Sequence, residues 1–213
     1  MDFINQDILD YCERFSKKPN KILQELERET KYKILMPRMM SDQLMGSFLE
    51  LISNITQPKY ILEIGTYTGY SAICLAKGLK ENGQLHTIEI NPELENISNK
   101  YFKKLNLDTK IITHIGHALD VIPKIDCLFD IVFIDADKKN YCDYYELVIN
   151  KVNKGGLILI DNVLWSGKVL NTPKKNDLET KEIQQLNQII LDDHRVENMI
   201  LPLRDGIMIC KVL

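Results

Sequence analysis

From Tyr60 onward, short apolar runs alternate with stretches of helical period, and few folds accommodate that rhythm. Strands are expected at Tyr60–Ile64, Gln84–Ile90, Lys110–Ile115, Ile131–Ile134 and Leu157–Ile160. Helices fit between them at Tyr70–Leu79, Pro92–Leu105, Ala118–Ile122 and Tyr141–Val152. Strands joined through helices imply right-handed crossovers and a mostly parallel sheet covered on both faces. A further helix, about Asp177 to Asp192, precedes the apolar runs Val196–Leu201 and Ile207–Val212. The linker Pro202-Leu203-Arg204-Asp205-Gly206 is too short for a helical crossover, so these two strands should be antiparallel. The expected fold is α/β: a Rossmann-like, seven-stranded, doubly wound sheet with an antiparallel C-terminal strand and added N-terminal helices.

The first forty residues stand apart. Phe3, Ile4, Ile8, Leu9, Tyr11, Cys12 and Phe15 recur at helical spacing until Lys17-Lys18-Pro19-Asn20 breaks the run. A second, highly charged helix over Lys21 to Lys33 keeps Ile22, Leu23 and Leu26 to one side. It reads equally as a solvated surface helix and as a lid or dimer contact. We therefore divide the chain into a helical extension, 1–40, and one main domain, 41–213, which Ser41-Asp42 opens as a helix cap.

Composition narrows the partners. A formal net charge of −3 argues against nucleic acid, whose binders leave a basic footprint. No stretch is long and apolar enough to span a membrane, and Asp2, Asp7 and Asp10 break up the start in a way unlike a secretory signal. The five cysteines are scattered and odd in number, as in a reducing compartment, and the expected location is the cytoplasm.

Two apolar runs end in acid. Ile131-Val132-Phe133-Ile134 leads into Asp135-Ala136-Asp137-Lys138, and Leu157-Ile158-Leu159-Ile160 into Asp161-Asn162. Ligands of open α/β sheets sit outside the carboxyl ends of the strands. If these strands are neighbours, Asp135, Asp161 and Asn162 converge as an all-oxygen set suited to a hard divalent cation, with magnesium, manganese or calcium ahead of zinc. The same residues also read as helix caps and turn formers.

A second site is marked by Leu62-Glu63-Ile64-Gly65-Thr66-Tyr67-Thr68-Gly69-Tyr70-Ser71, a strand, a glycine loop and a helix start. Its Gly-x-x-x-Gly spacing is neither the dinucleotide fingerprint nor a P-loop. Glu63 repels phosphate but accepts hydrogen bonds from an ammonium, and Glu89 ends the next strand, where a carboxylate can hold a ribose. Together they favour an adenosyl cofactor with a positively charged amino-acid tail, S-adenosylmethionine.

On these residues, with Met40-Ser41-Asp42-Gln43-Leu44-Met45-Gly46-Ser47-Phe48-Leu49 and Asp161-Asn162-Val163-Leu164-Trp165-Ser166-Gly167, the chain resembles the cation-dependent O-methyltransferases of the caffeoyl-CoA and catechol type, especially bacterial members. The resemblance implies that Glu63, Gly65, Thr66 and Ser71 hold the methionine portion of the cofactor. Glu89 would take the ribose, Ala118 the adenine, and Ser41, Asp135 and Asp137 would complete the pocket. It implies Asp135, Asp161 and Asn162 as metal ligands, Lys138 with Asp135 as catalytic groups, and a homodimer. Lys138 has three readings: general base, cationic partner of the acidic cluster, or surface lysine. The implied substrate is a small aromatic hydroxyl compound, catechol-like, hydroxycinnamoyl or flavonoid. Tyr67, Tyr70, Tyr141, Tyr144, Trp165 and Arg204 could line its pocket. Ser166 stands where the plant enzymes use a substrate-contacting asparagine, which counts against a CoA thioester and leaves free catechols, hydroxycinnamates or flavonoids open.

Overall fold

The computed structural model describes residues 5–213; Asp2, Phe3 and Ile4 of the expected first helix lie outside them. Seven strands form one sheet: β1 (Tyr60–Ile64), β2 (Gln84–Glu89), β3 (Ile111–Ile115), β4 (Phe129–Ile134), β5 (Val152–Asp161), β6 (Val196–Leu201) and β7 (Ile207–Val212). Their order is β3-β2-β1-β4-β5-β7-β6. The first five are parallel, and β7 lies antiparallel between β5 and β6. This is the class of sheet the alternation predicts.

Central strands read as unbroken apolar runs because both faces are covered. Leu62, Val132 and Ile158 belong to one core, beneath α7 (Tyr141–Ile149) and α8 (Leu178–Asp192). Ile61, Ile131 and Leu159 belong to the other. There α3 (Gln43–Thr56), α4 (Tyr70–Ala76) and α5 (Glu95–Lys104) pack, together with Leu23 and Leu26 of α2 (Lys21–Lys33). The charged second helix is therefore anchored, with Leu23 and Leu26 wholly buried. By contrast α1 (Gln6–Phe15) buries none of its residues. Asp42 caps α3 as expected, its Oδ1 accepting from the Met45 N–H at 2.9 Å.

Several other boundaries, among them the expected helix ends at Leu79 and Val152, move by one to three residues, and the largest difference is at β5. The second acidic run is expected to start at Leu157, whereas β5 begins at Val152. Val152 pairs with Phe129 across a register shift, and Gly155, at φ +82, absorbs the irregularity. The glycine pair sits inside the strand rather than ahead of it. Four of the five cysteines are buried or half-buried, Cys12 is exposed, and all are free. No helix among the described residues is long and apolar enough to cross a membrane.

Candidate active site

The glycine loop is held between two strands. Gly65 has φ +102, and a Cβ there would lie 2.0 Å from the Asp135 carbonyl oxygen, so no other residue fits. The Gly65 and Thr66 N–H groups donate to the Ile88 carbonyl at the end of β2, at 3.0 and 3.2 Å. Glu89, one residue on, accepts from the Tyr67 N–H at 2.7 Å and the Asn91 N–H at 2.9 Å. Its carboxylate is fixed by backbone while keeping free lone pairs.

Glu63 lies under this loop, fully buried. Thr87 donates to its Oε2 at 2.6 Å and stands 2.5 Å from the Thr66 hydroxyl. Its Oε1 has no hydrogen-bonding partner. Burial pushes the Glu63 pKa up to about 8, against the pull of the Ser71 and Thr87 hydroxyls. Ser71 exerts that pull without reaching hydrogen-bonding geometry. An orphaned buried carboxylate oxygen is costly, and an ammonium group beside it would satisfy both charge and hydrogen bond.

One cavity of about 1620 Å³ opens over the carboxyl ends of the strands. Ser41, Gly65, Thr66, Ser71, Glu89, Ala118, Asp135, Asp137, Lys138, Asp161 and Asn162 all line it. Glu63 alone of the expected site residues does not; it acts on the cavity from below. The volume exceeds the ~300–1,000 Å³ of an ordinary ligand pocket and has room for two ligands side by side.

β4 and β5 are neighbours, in register from Ile131–Leu157 to Ile134–Ile160, which brings Asp135 beside Asp161. Asp161 is 1% exposed. Burial raises its pKa and the Asp135 charge raises it further, while Arg204 and Lys138 pull it down. Asn162 follows at φ +65, and its N–H donates to Asp161 Oδ1 at 2.8 Å. That last bond is turn-like, but Asp135 caps no helix and meets only Lys138. The turn-former reading thus fits Asp161 and Asn162 but not Asp135. Among the described residues no three His, Cys, Asp or Glu side chains gather as a metal cluster. The donors here are two carboxylates and an amide, all hard oxygen, and they fit magnesium or manganese.

Lys138 is buried, and its Nζ donates to Asp135 Oδ1 at 3.1 Å, the Ala136 carbonyl at 3.0 Å and the Tyr141 hydroxyl at 2.6 Å. All three donors of an ammonium are thus used. Tyr141 in turn donates to the Asp161 carbonyl at 3.2 Å. Asp137 accepts from Tyr144 and Asn140, both at 2.5 Å.

Of the aromatic residues expected at the substrate, Tyr67, Tyr70, Tyr144 and Trp165 line the cavity, as does Arg204. Tyr141 does not: it is fully buried and braces Lys138 instead. The motifs do not reveal Thr87, which orients Glu63; a polar residue inside a buried strand was its only signal. They also miss Leu9, Met36 and Met39, which bring the N-terminal segments into the cavity wall.

A profile of the O-methyltransferase family matches residues 13–213. A caffeoyl-CoA O-methyltransferase of Medicago sativa is 34% identical over 177 residues, 78% of this chain and 72% of the relative. Among solved structures, an O-methyltransferase from Bacillus cereus in complex with S-adenosylhomocysteine superposes with a TM-score of 0.90. It is 29% identical, with 97% of each chain covered. An S-adenosylhomocysteine-bound methyltransferase from Podospora anserina gives 0.89 at 26% identity, covering 98% of this chain and 94% of that one.

Proposed function

Because the chain belongs to the O-methyltransferase family, as an S-adenosylmethionine-dependent enzyme of the caffeoyl-CoA O-methyltransferase type, we propose that it methylates a hydroxyl of a small aromatic acceptor with the help of a divalent cation. Catechols, hydroxycinnamates and flavonoids form the acceptor class. The observation that carries this reading is the single cavity lined both by the glycine loop and by Asp135, Lys138, Asp161 and Asn162. Donor and acceptor can meet there without crossing solvent.

Glu63, Gly65, Thr66 and Ser71 would bind the methionine end of the cofactor and Glu89 its ribose, with Ala118, Ser41 and Asp137 around the remainder. Asp135, Asp161 and Asn162 would hold the cation. When bound, the cofactor supplies a methyl group on a positively charged sulfur, and a cation on these oxygens favours an ionised acceptor hydroxyl. A free phenol has a pKa of roughly 10 and is almost wholly protonated at neutral pH. The acceptor oxygen forms the new O–CH3 bond as the S–CH3 bond breaks, its electron pair staying on sulfur to leave S-adenosylhomocysteine. Lys138 takes the hydroxyl proton as the neutral amine, having first given up one of its own to solvent. A second reading, that Lys138 stays cationic and steadies the oxygen's negative charge, is favoured by the three hydrogen bonds its Nζ donates. The buried walls hold nucleophile and methyl in line, which supplies much of the acceleration.

A homodimer belongs to the proposal too, with the extension 1–40 as contact or lid. Its support is the apolar surface of Ile8, Tyr11 and Phe15 on α1, each more than half exposed. Light scattering of the purified protein measures that mass directly. The acceptor class is tested by incubating enzyme, S-adenosylmethionine and magnesium with matched vicinal diols and monophenols, followed by mass spectrometry. A product 14 mass units heavier from the diols supports the class; turnover of neither, with S-adenosylhomocysteine still bound, refutes it.

A further inference from the structure

The two acids at the cavity floor are each met by a resident cation. Lys138 pairs with Asp135 at 3.1 Å. Arg204 reaches in from the turn between β6 and β7, its Nη1 3.8 Å from Asp161 Oδ2 and its Nε 3.1 Å from Asp42 Oδ2. Asp42 is itself held, since its other oxygen caps α3. The next residue, Asp205, is tied through its side chain to the Ser166 N–H at 2.5 Å and through its carbonyl to the Leu164 N–H at 2.9 Å. Arg204 therefore springs from a rigid turn, and its backbone has φ +51, a strained conformation for a residue with a side chain. Nothing in the turn itself requires an arginine.

We propose that Arg204 is a built-in counter-cation of the metal set, which pairs with Asp161 and competes with the divalent ion for it. The inference rests on the cation reading of Asp135, Asp161 and Asn162. Lys138 and Arg204 offset part of the charge on Asp135 and Asp161, with Arg204 shared between Asp161 and Asp42. A divalent ion must then displace the Arg204–Asp161 attraction and bear its repulsion. Cation binding is accordingly weaker than the ligand set alone would allow, and strongly dependent on ionic strength. At 3.8 Å the guanidinium makes an ion pair with Asp161 and no hydrogen bond, so it can withdraw while still held by Asp42.

The test is calorimetric titration of the full chain with Mn²⁺, in the presence of S-adenosylhomocysteine, for wild type, R204Q and R204K. Removing one unit charge a few ångströms from a divalent ion in a solvent-screened cavity is expected to change affinity about tenfold. R204Q should bind Mn²⁺ about tenfold more tightly, whereas R204K, which keeps the charge, should stay within about threefold of wild type. R204M replaces R204Q if the latter does not fold, as judged by thermal melting. Equal affinity in wild type and R204Q, or weaker affinity in R204Q, overturns the proposal and makes Arg204 a simple tether of the turn. Absence of Mn²⁺ binding in every protein overturns the cation reading itself, and the counter-cation role with it.

Discussion

Replacing Glu63 by glutamine removes a buried acid that ionises only at high cost. Burial takes this carboxyl from 4.5 to about 8. At about 1.4 kcal/mol per pH unit, that interval amounts to roughly 5 kcal/mol once the group is fully ionised. The sign follows from proton counting. Between pH 4.5 and about 8 the folded state holds a proton that the unfolded state has lost, so stability falls as pH rises through that window. Glutamine has the shape of the protonated acid, can still accept from Thr87, and does not ionise. In the absence of cofactor, Glu63→Gln and wild type should melt together near pH 5. At pH 8 to 9 the variant should melt about 10–20 °C higher, given about 2–4 °C per kcal/mol for a chain of this size. Calorimetry with S-adenosylhomocysteine should show the reverse preference. Wild-type affinity should strengthen about tenfold per pH unit up to about 8, as ionised Glu63 meets the ligand's ammonium, while the variant binds weakly and without that slope. Parallel melting curves for the two proteins from pH 5 to 9 would refute the argument.

Gly65→Ala places a methyl group 2.0 Å from the Asp135 carbonyl at φ +102. Folding should be weakened by about 3 kcal/mol or more, seen as a lower denaturation midpoint, and binding of S-adenosylhomocysteine should be lost. Lys138→Arg keeps the positive charge but cannot serve as a base near neutral pH. If Lys138 takes the proton, kcat should fall at least about a hundredfold; if it is only a cationic partner, kcat should stay within about tenfold of wild type.

The sheet was legible because its apolar runs are set off by turn and helix signals: Tyr60–Ile64, Val196–Leu201 and Ile207–Val212 match residue for residue. The start of β5 was not, because strand pairing through a bulge at Gly155 leaves no apolar signature at Asn153 or Lys154. The acidic strand ends were legible since unpaired acid after an apolar run demands a partner. What completes them was hidden by sequence distance. Arg204 meets Asp42 and Asp161 only because β7 runs back between β5 and β6, and Tyr141 turns away from the cavity only because α7 packs on the sheet. The left-handed stretch through Asn162, Trp165 and Ser166 is set by its ties to the Asp205–Gly206 turn. No local propensity announces it.

The most direct measurement is the initial rate of methyl transfer to a catechol acceptor in metal-stripped enzyme, before and after magnesium is restored. We expect no product with EDTA and full recovery on adding magnesium in excess. An undiminished rate in EDTA would contradict the cation at Asp135, Asp161 and Asn162.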